Sequence, residues 1–271
     1  MQTRPNLILA LIALTATATS FAQSDPAQSA DAAEELKLAA LEALMAAPSD
    51  RALPLVTKVL AGNHSDEVKS RALFILSQID DPQAQAQLLD VARQGSGEVR
   101  EEAIRMIGIG GDPATLAQLT ELYSSGDAEV RHAVLEAYLI AGDSDAVYQI
   151  AAAADNEEDF SAAVEMLGAM GANDKLRMLR DKVGFSESLI EAYAISGDVE
   201  SLRALARDAS NPQQQEHAIE GLMIAGDDEG LLGLYRATDD LEQKRMLLEA
   251  LSIVGSDVLL DLIDEALADD Q

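Results

Sequence analysis

Apolar and polar positions follow one another along most of the chain with the period of an α-helix, in short pieces separated by joints rich in Gly, Asp and Pro. In the stretch GEVREEAIRMIGIGGDPATLAQLTELYSSGD, Val99, Ala103, Ile104 and Ile107 fall on one helical face, and Leu116, Leu119 and Leu122 do so again after an interruption. The interruption is Gly110-Gly111-Asp112-Pro113. A glycine there can take the left-handed turn that closes the first helix. Asp112 can accept from the free amides that open the second, and Pro113 suits a first turn that needs no amide donor. The pattern predicts two helices joined by a tight corner.

The corner recurs. EVKSRALFILSQIDDP, EVREEAIRMIGIGGDP and EVRHAVLEAYLIAGDS begin at Glu67, Glu98 and Glu129, 31 residues apart each time. The joint continues through Asp81, Asp112, Asp143, a degenerate Asn173, Asp198, Asp227 and Ser256, and a weaker copy ends at Asp50. Self-similarity at a period near 30 residues marks a solenoid, in which each unit buries its apolar face only against its neighbours. The prediction is an all-α solenoid of about eight antiparallel helix pairs over residues 34–268. A cleaved leader would occupy 1–22, a flexible linker 23–33 and an acidic tail 269–271.

These units resemble HEAT repeats, in particular the short subtype also found in phycobilin lyases. The likeness is strongest in the second to fourth units and loses its Glu-Val-Arg signature after Asp155. It implies helix pairs stacked into a superhelix with second helices along a concave face. It also implies basic and acidic residues that link neighbouring joints: Lys69, Arg100 and Arg131 against Asp81, Asp112 and Asp143, with Asp198 and Asp227 as later joint positions. A HEAT-type metal hydroxylase would carry paired His-Glu dipeptides, and this chain has none.

The ends and the composition refine the picture. Residues 1–22 combine Arg4, an apolar run from Leu7 to Leu14 and a small-residue ending at Ala22, the layout of a secretory leader cleaved before Gln23. The run is shorter than the roughly 20 apolar residues a spanning helix needs. A periplasmic or secreted protein is therefore expected, without stable membrane insertion once the leader is removed. The absence of cysteine rules out disulfides, thiolate metal sites, a Cys nucleophile and a lipid-bearing Cys. Against 48 acidic residues the chain has only 19 Lys and Arg, a formal net charge of −29. Such a surface repels nucleic acid and favours a protein or peptide partner with a cationic surface.

Catalytic chemistry finds little support. His64, His132 and His217 lie far apart with no metal-binding spacing, and no Gly-x-Ser-x-Gly elbow exists. GIGGDP lacks the Lys-Ser/Thr of a phosphate loop. The run from Asp155 fails as a calcium loop, with Phe160 at the position that needs Gly and Met166 where Glu belongs. Tyr138 and Tyr193 occupy a position held elsewhere by Leu76, Ile107, Leu222 and Leu251, and are read first as core. No enzyme activity and no cofactor are expected.

Charge remains. No Lys or Arg occurs between His132 and Asp174, whereas Lys175, Arg177, Arg180, Lys182, Arg203, Arg207 and Arg236 gather in later second helices. The expectation is a charge-segregated surface docking one partner through Asp155, Glu157, Glu158 and Asp159 on one side and Lys182, Arg207 and Arg236 on the other. The C-terminal helix, with Asp261, Asp264 and Glu265, is expected to face water and cap the stack.

Overall fold

The computed structural model describes residues 26–184, 186–208 and 210–268. The leader expected at 1–22 and the tail at 269–271 lie outside these residues. Helices account for all the regular structure described, and they fall into eight successive pairs. These are α1 (Pro26–Leu44) with α2 (Ser49–Ala61), α3 (Asp66–Ser77) with α4 (Pro82–Gln94), and α5 (Gly97–Gly110) with the broken helix α6 (Pro113–Leu116) and α7 (Leu119–Ser125). Then come α8 (Ala128–Ala141) with α9 (Ser144–Ala153), α10 (Glu157–Ala169) with α11 (Asn173–Val183), and α12 (Glu187–Ser196) with α13 (Val199–Arg207). The last pairs are α14 (Pro212–Ile224) with α15 (Asp228–Ala237), and α16 (Leu241–Val254) with α17 (Leu259–Ala268). The linker expected at 23–33 is helical from Pro26 onward: a Pro in the first turn followed by Ala and Glu favours helix over flexible chain.

The joint chemistry is visible at the corners of Asp81, Asp112, Asp143, Asp198 and Asp227, whereas α2 and α11 start without a side-chain cap. Gly111 sits at φ 65°, Asp112 accepts from the Thr115 amide at 2.8 Å, and Pro113 opens α6. The Asp143 carboxylate likewise accepts from the Ala146 amide at 3.0 Å, and Asp81 from that of Gln83 at 2.7 Å.

Each first helix packs on the next along the whole row, and each second helix packs on the first helix of the following unit. The apolar stripes therefore merge into one core running from Leu41 to Leu262. Small residues let the first helices meet closely. A Cβ on Gly108 of α5 would lie 2.5 Å from the Ala137 carbonyl oxygen of α8, and Gly168 of α10 is similarly pressed against Ala192 of α12.

Tyr138 and Tyr193 are wholly buried within this row. The break between α6 and α7 frees the Leu116 carbonyl, and the Tyr138 hydroxyl from α8 donates to it at 3.1 Å while meeting Thr120 Oγ1 at 3.0 Å. The Tyr193 hydroxyl is buried with no hydrogen-bond partner among the described residues, and burial pushes its pKa up to about 12.

The terminal helix departs from expectation. Besides Asp261 and Asp264, α17 exposes Leu260, Ile263 and Leu267, spaced to share one face. It closes the core through Leu262 but leaves an apolar side outward.

Candidate functional site

The joints and the charged helix faces are where polar chemistry concentrates. The Arg of the Glu-Val-Arg signature does not reach the joint aspartates. No ion pair among the described residues connects Lys69, Arg100 or Arg131 with Asp81, Asp112 or Asp143. Arg100 instead donates to the Ala92 carbonyl at 3.0 Å, and Arg131 to the Gly126 carbonyl at 3.0 Å while pairing with Asp159 at 2.9 Å. Both arginines thus satisfy carbonyls left free where the preceding second helix ends. Gln215 does the same for Ala206 at 2.7 Å, and Lys182 reaches the Ala152 carbonyl at 2.9 Å. The aspartates are occupied as helix caps, which leaves their carboxylates turned toward amides rather than toward the arginines.

Arginine links to the joint aspartates of the next unit do form, but in the half of the chain where the signature has faded. Arg177 of α11 grips Asp198 with two parallel bonds, Nε at 2.9 Å and Nη2 at 2.8 Å, and Asp198 also accepts from the Ser201 hydroxyl at 2.7 Å. Arg203 of α13 holds Asp227 in the same bidentate way. Burial alone would push both carboxyls up; the arginine bonds outweigh it, with help from Ser201 and from the Gly230 amide, and hold both below the ordinary aspartate value.

These links change the predicted charge segregation. Of the basic residues gathered in the later second helices, Lys175 pairs with Asp145, Arg177 with Asp198, Arg180 with Asp181 at 2.7 Å, and Arg203 with Asp227. Arg207 and Arg236 stay exposed in the last turns of α13 and α15, where a cation complements the helix dipole. On the acidic side Asn156 caps α10 through the Asp159 amide at 2.9 Å, and Glu157 meets Ser161 and Ser188. Asp159 belongs to Arg131; Asp155 and Glu158 face solvent. The basic segment is therefore largely neutralised by pairs within and between neighbouring units, and it meets the acidic stretch only through Lys175 and Asp145 among the described ion pairs.

Among the described residues no group of three or more His, Asp or Glu is arranged to hold a metal ion. No helix there is long and apolar enough to cross a membrane.

Residues 86–168, spanning the joints at Asp112 and Asp143, match the family model for HEAT repeats. That stretch carries HEAT repeats. Among solved structures it is similar to human deoxyhypusine hydroxylase in complex with glycerol, at 20% identity and a TM-score of 0.33, over 88% of this chain and 96% of that one. It is also similar to a computationally designed self-assembling cyclic homooligomer, at 15% identity and a TM-score of 0.17, over 88% of this chain and 99% of that one. Overlaps this loose bear on neither fold nor function. No curated protein matches.

Proposed function

We propose that this HEAT-repeat stack is a non-catalytic scaffold that holds a polypeptide with a cationic surface, and that it acts after export and loss of residues 1–22. The supporting observation is where its own cations go. Arg71, Arg93, Arg105, Arg131, Lys175, Arg177, Arg180, Arg203 and Arg245 each pair with an acid of the same chain. With 48 acids against 19 Lys and Arg, these pairs leave most acids among the described residues without a cation of the chain's own. Repeat stacks offer long surfaces suited to an extended or modular partner, and opposite charge speeds and orients such docking.

The test is cross-linking in the producing cell, affinity capture of the full chain, and rebinding of the captured protein in purified form at low and high salt. A saturable partner of basic surface that leaves as salt rises supports the proposal; a saturable partner whose binding ignores salt, or none at all, overturns it. Export is tested by mass spectrometry, which should find the product beginning at Gln23; a soluble product retaining Met1 would refute it.

A further inference from the structure

The first helices carry a second regularity that the stacking does not use. Three residues before the joint position stand Ile109, Ile140, Ile195, Ile224 and Ile253, and every one is exposed, from 41% at Ile109 to 65% at Ile224 and Ile253. Leucine and isoleucine two residues earlier, at Ile107, Leu222 and Leu251, are wholly buried, so exposure belongs to this register and not to the segment. One helical turn before the last three of these isoleucines stand Glu191, Glu220 and Glu249, all exposed and none paired with a cation among the described residues. Arg245, on the same helix as Glu249, is taken by Glu242 at 3.3 Å. Helices α12, α14 and α16 are successive neighbours in the row. Together they present an apolar line, Ile195–Ile224–Ile253, beside a parallel acidic line, Glu191–Glu220–Glu249.

We infer that this double line is the docking track for an extended, polyproline-like peptide bearing an apolar residue and a basic residue in each triplet. Packed helices lie about 8–10 Å apart. A polyproline II strand advances roughly 9.3 Å per three-residue turn, so it meets one helix per turn with the same pair of side chains. The Glu and Ile of one helix are about 6 Å apart along its axis, which lets the peptide lie between the lines with its apolar residues on the isoleucines and its cations on the glutamates. Charge complementarity selects this occupant: a second copy of this chain would bring carboxylates onto the acidic line. The track is interrupted at α10, where the capping position is Ala172 and Ala169 stands three residues before it in place of Ile, which limits the strongest run to the last three units.

This placement rests on the scaffold reading above and names the partner's chemistry. The probe is a fluorescein-labelled synthetic peptide of four Leu-Pro-Arg triplets, read by anisotropy against the full chain at low salt. A permuted peptide of equal composition without the period is the comparison. Saturable binding at least tenfold tighter than that of the permuted peptide is expected. The triple variant Ile195→Ser/Ile224→Ser/Ile253→Ser should weaken it at least tenfold. Glu191→Gln/Glu220→Gln/Glu249→Gln should do so too and flatten the salt dependence. Leu241→Ser, which removes an exposed apolar side chain outside the lines, should bind as the parent does, and circular dichroism should show all variants folded. Equal binding of the two peptides, no binding, or triple variants indistinguishable from the parent would overturn the track. Captured partner that binds the triple variants as well as the parent would sink the track alone and leave the scaffold function standing.

Discussion

Arg177→Met tests whether the bidentate links between units hold the second half of the stack together. The substitution keeps a long apolar stem and removes the guanidinium, stranding Asp198, which is 3% exposed, with only its Ser201 bonds. Hydrogen bonds to a charged group contribute about 1.5–3 kcal/mol, and breaking a fully buried pair costs roughly 3–5 kcal/mol. The Arg177 side chain is 39% exposed, so water reaches the site and the lower range applies. A loss of about 2 kcal/mol at pH 7 is expected, equivalent to ~4–8 °C in Tm for a chain of this size. Urea unfolding followed by circular dichroism measures it, with Asp198→Asn and the double variant completing a cycle that isolates the coupling.

The pH dependence separates this account from a packing loss. The Asp198 carboxyl is held below its ordinary value in the folded chain, so the link contributes fully above the unfolded aspartate pKa of about 3.9 and fades as pH falls through the lower folded value. The gap between parent and Arg177→Met should therefore narrow below about pH 4. A cost under ~0.5 kcal/mol at pH 7, or one that stays constant into acid, would refute the reasoning.

Two further contrasts follow from single atoms. Tyr138→Phe leaves the Leu116 carbonyl without its donor and should cost about 1–2 kcal/mol, whereas Tyr193→Phe removes a buried hydroxyl that has no partner and should be neutral or stabilising by up to ~1 kcal/mol; thermal unfolding of the two variants checks the difference. Gly108→Ala would gain about 1 kcal/mol of helix propensity but set its Cβ 2.5 Å from the Ala137 oxygen and 2.7 Å from its Cα, so overpacking of roughly 1–3 kcal/mol should win and lower the urea midpoint; Gly233→Ala, with open space around its Cβ, should raise it.

How far the sequence discloses this molecule depends on the range of each interaction. The helices and corners were legible because their causes are local: Val99, Ala103, Ile104 and Ile107 share a face, and Gly111-Asp112-Pro113 carries its own turn chemistry. Contacts between units were not, because they depend on the offset of one helix pair against the next. The arginines of the signature were assigned to the joint aspartates, yet Arg100 and Arg131 sit where a preceding helix ends and cap its carbonyls. Nothing in the faded second half announces that Arg177 and Arg203 fall opposite Asp198 and Asp227, since the intervening loops change length there.

The isoleucine line lies between these cases. Aligning the units at their joints shows Ile109, Ile140, Ile195, Ile224 and Ile253 in register, with a glutamate one turn earlier in all but the first, where Arg105 stands. In sequence, however, Ile107 and Ile109 are equally apolar, and two residues on a helix are about 200° apart. Only packing decides which of them enters the core. Once Ile107 and its equivalents fill the row between first helices, the next isoleucine has to point outward. A side chain whose exposure recurs unit after unit, in α12, α14 and α16 beside glutamates that form no ion pair with an arginine among the described residues, is then a property of the stack rather than of any one helix. That is why its function is sought in a ligand with the same repeat length.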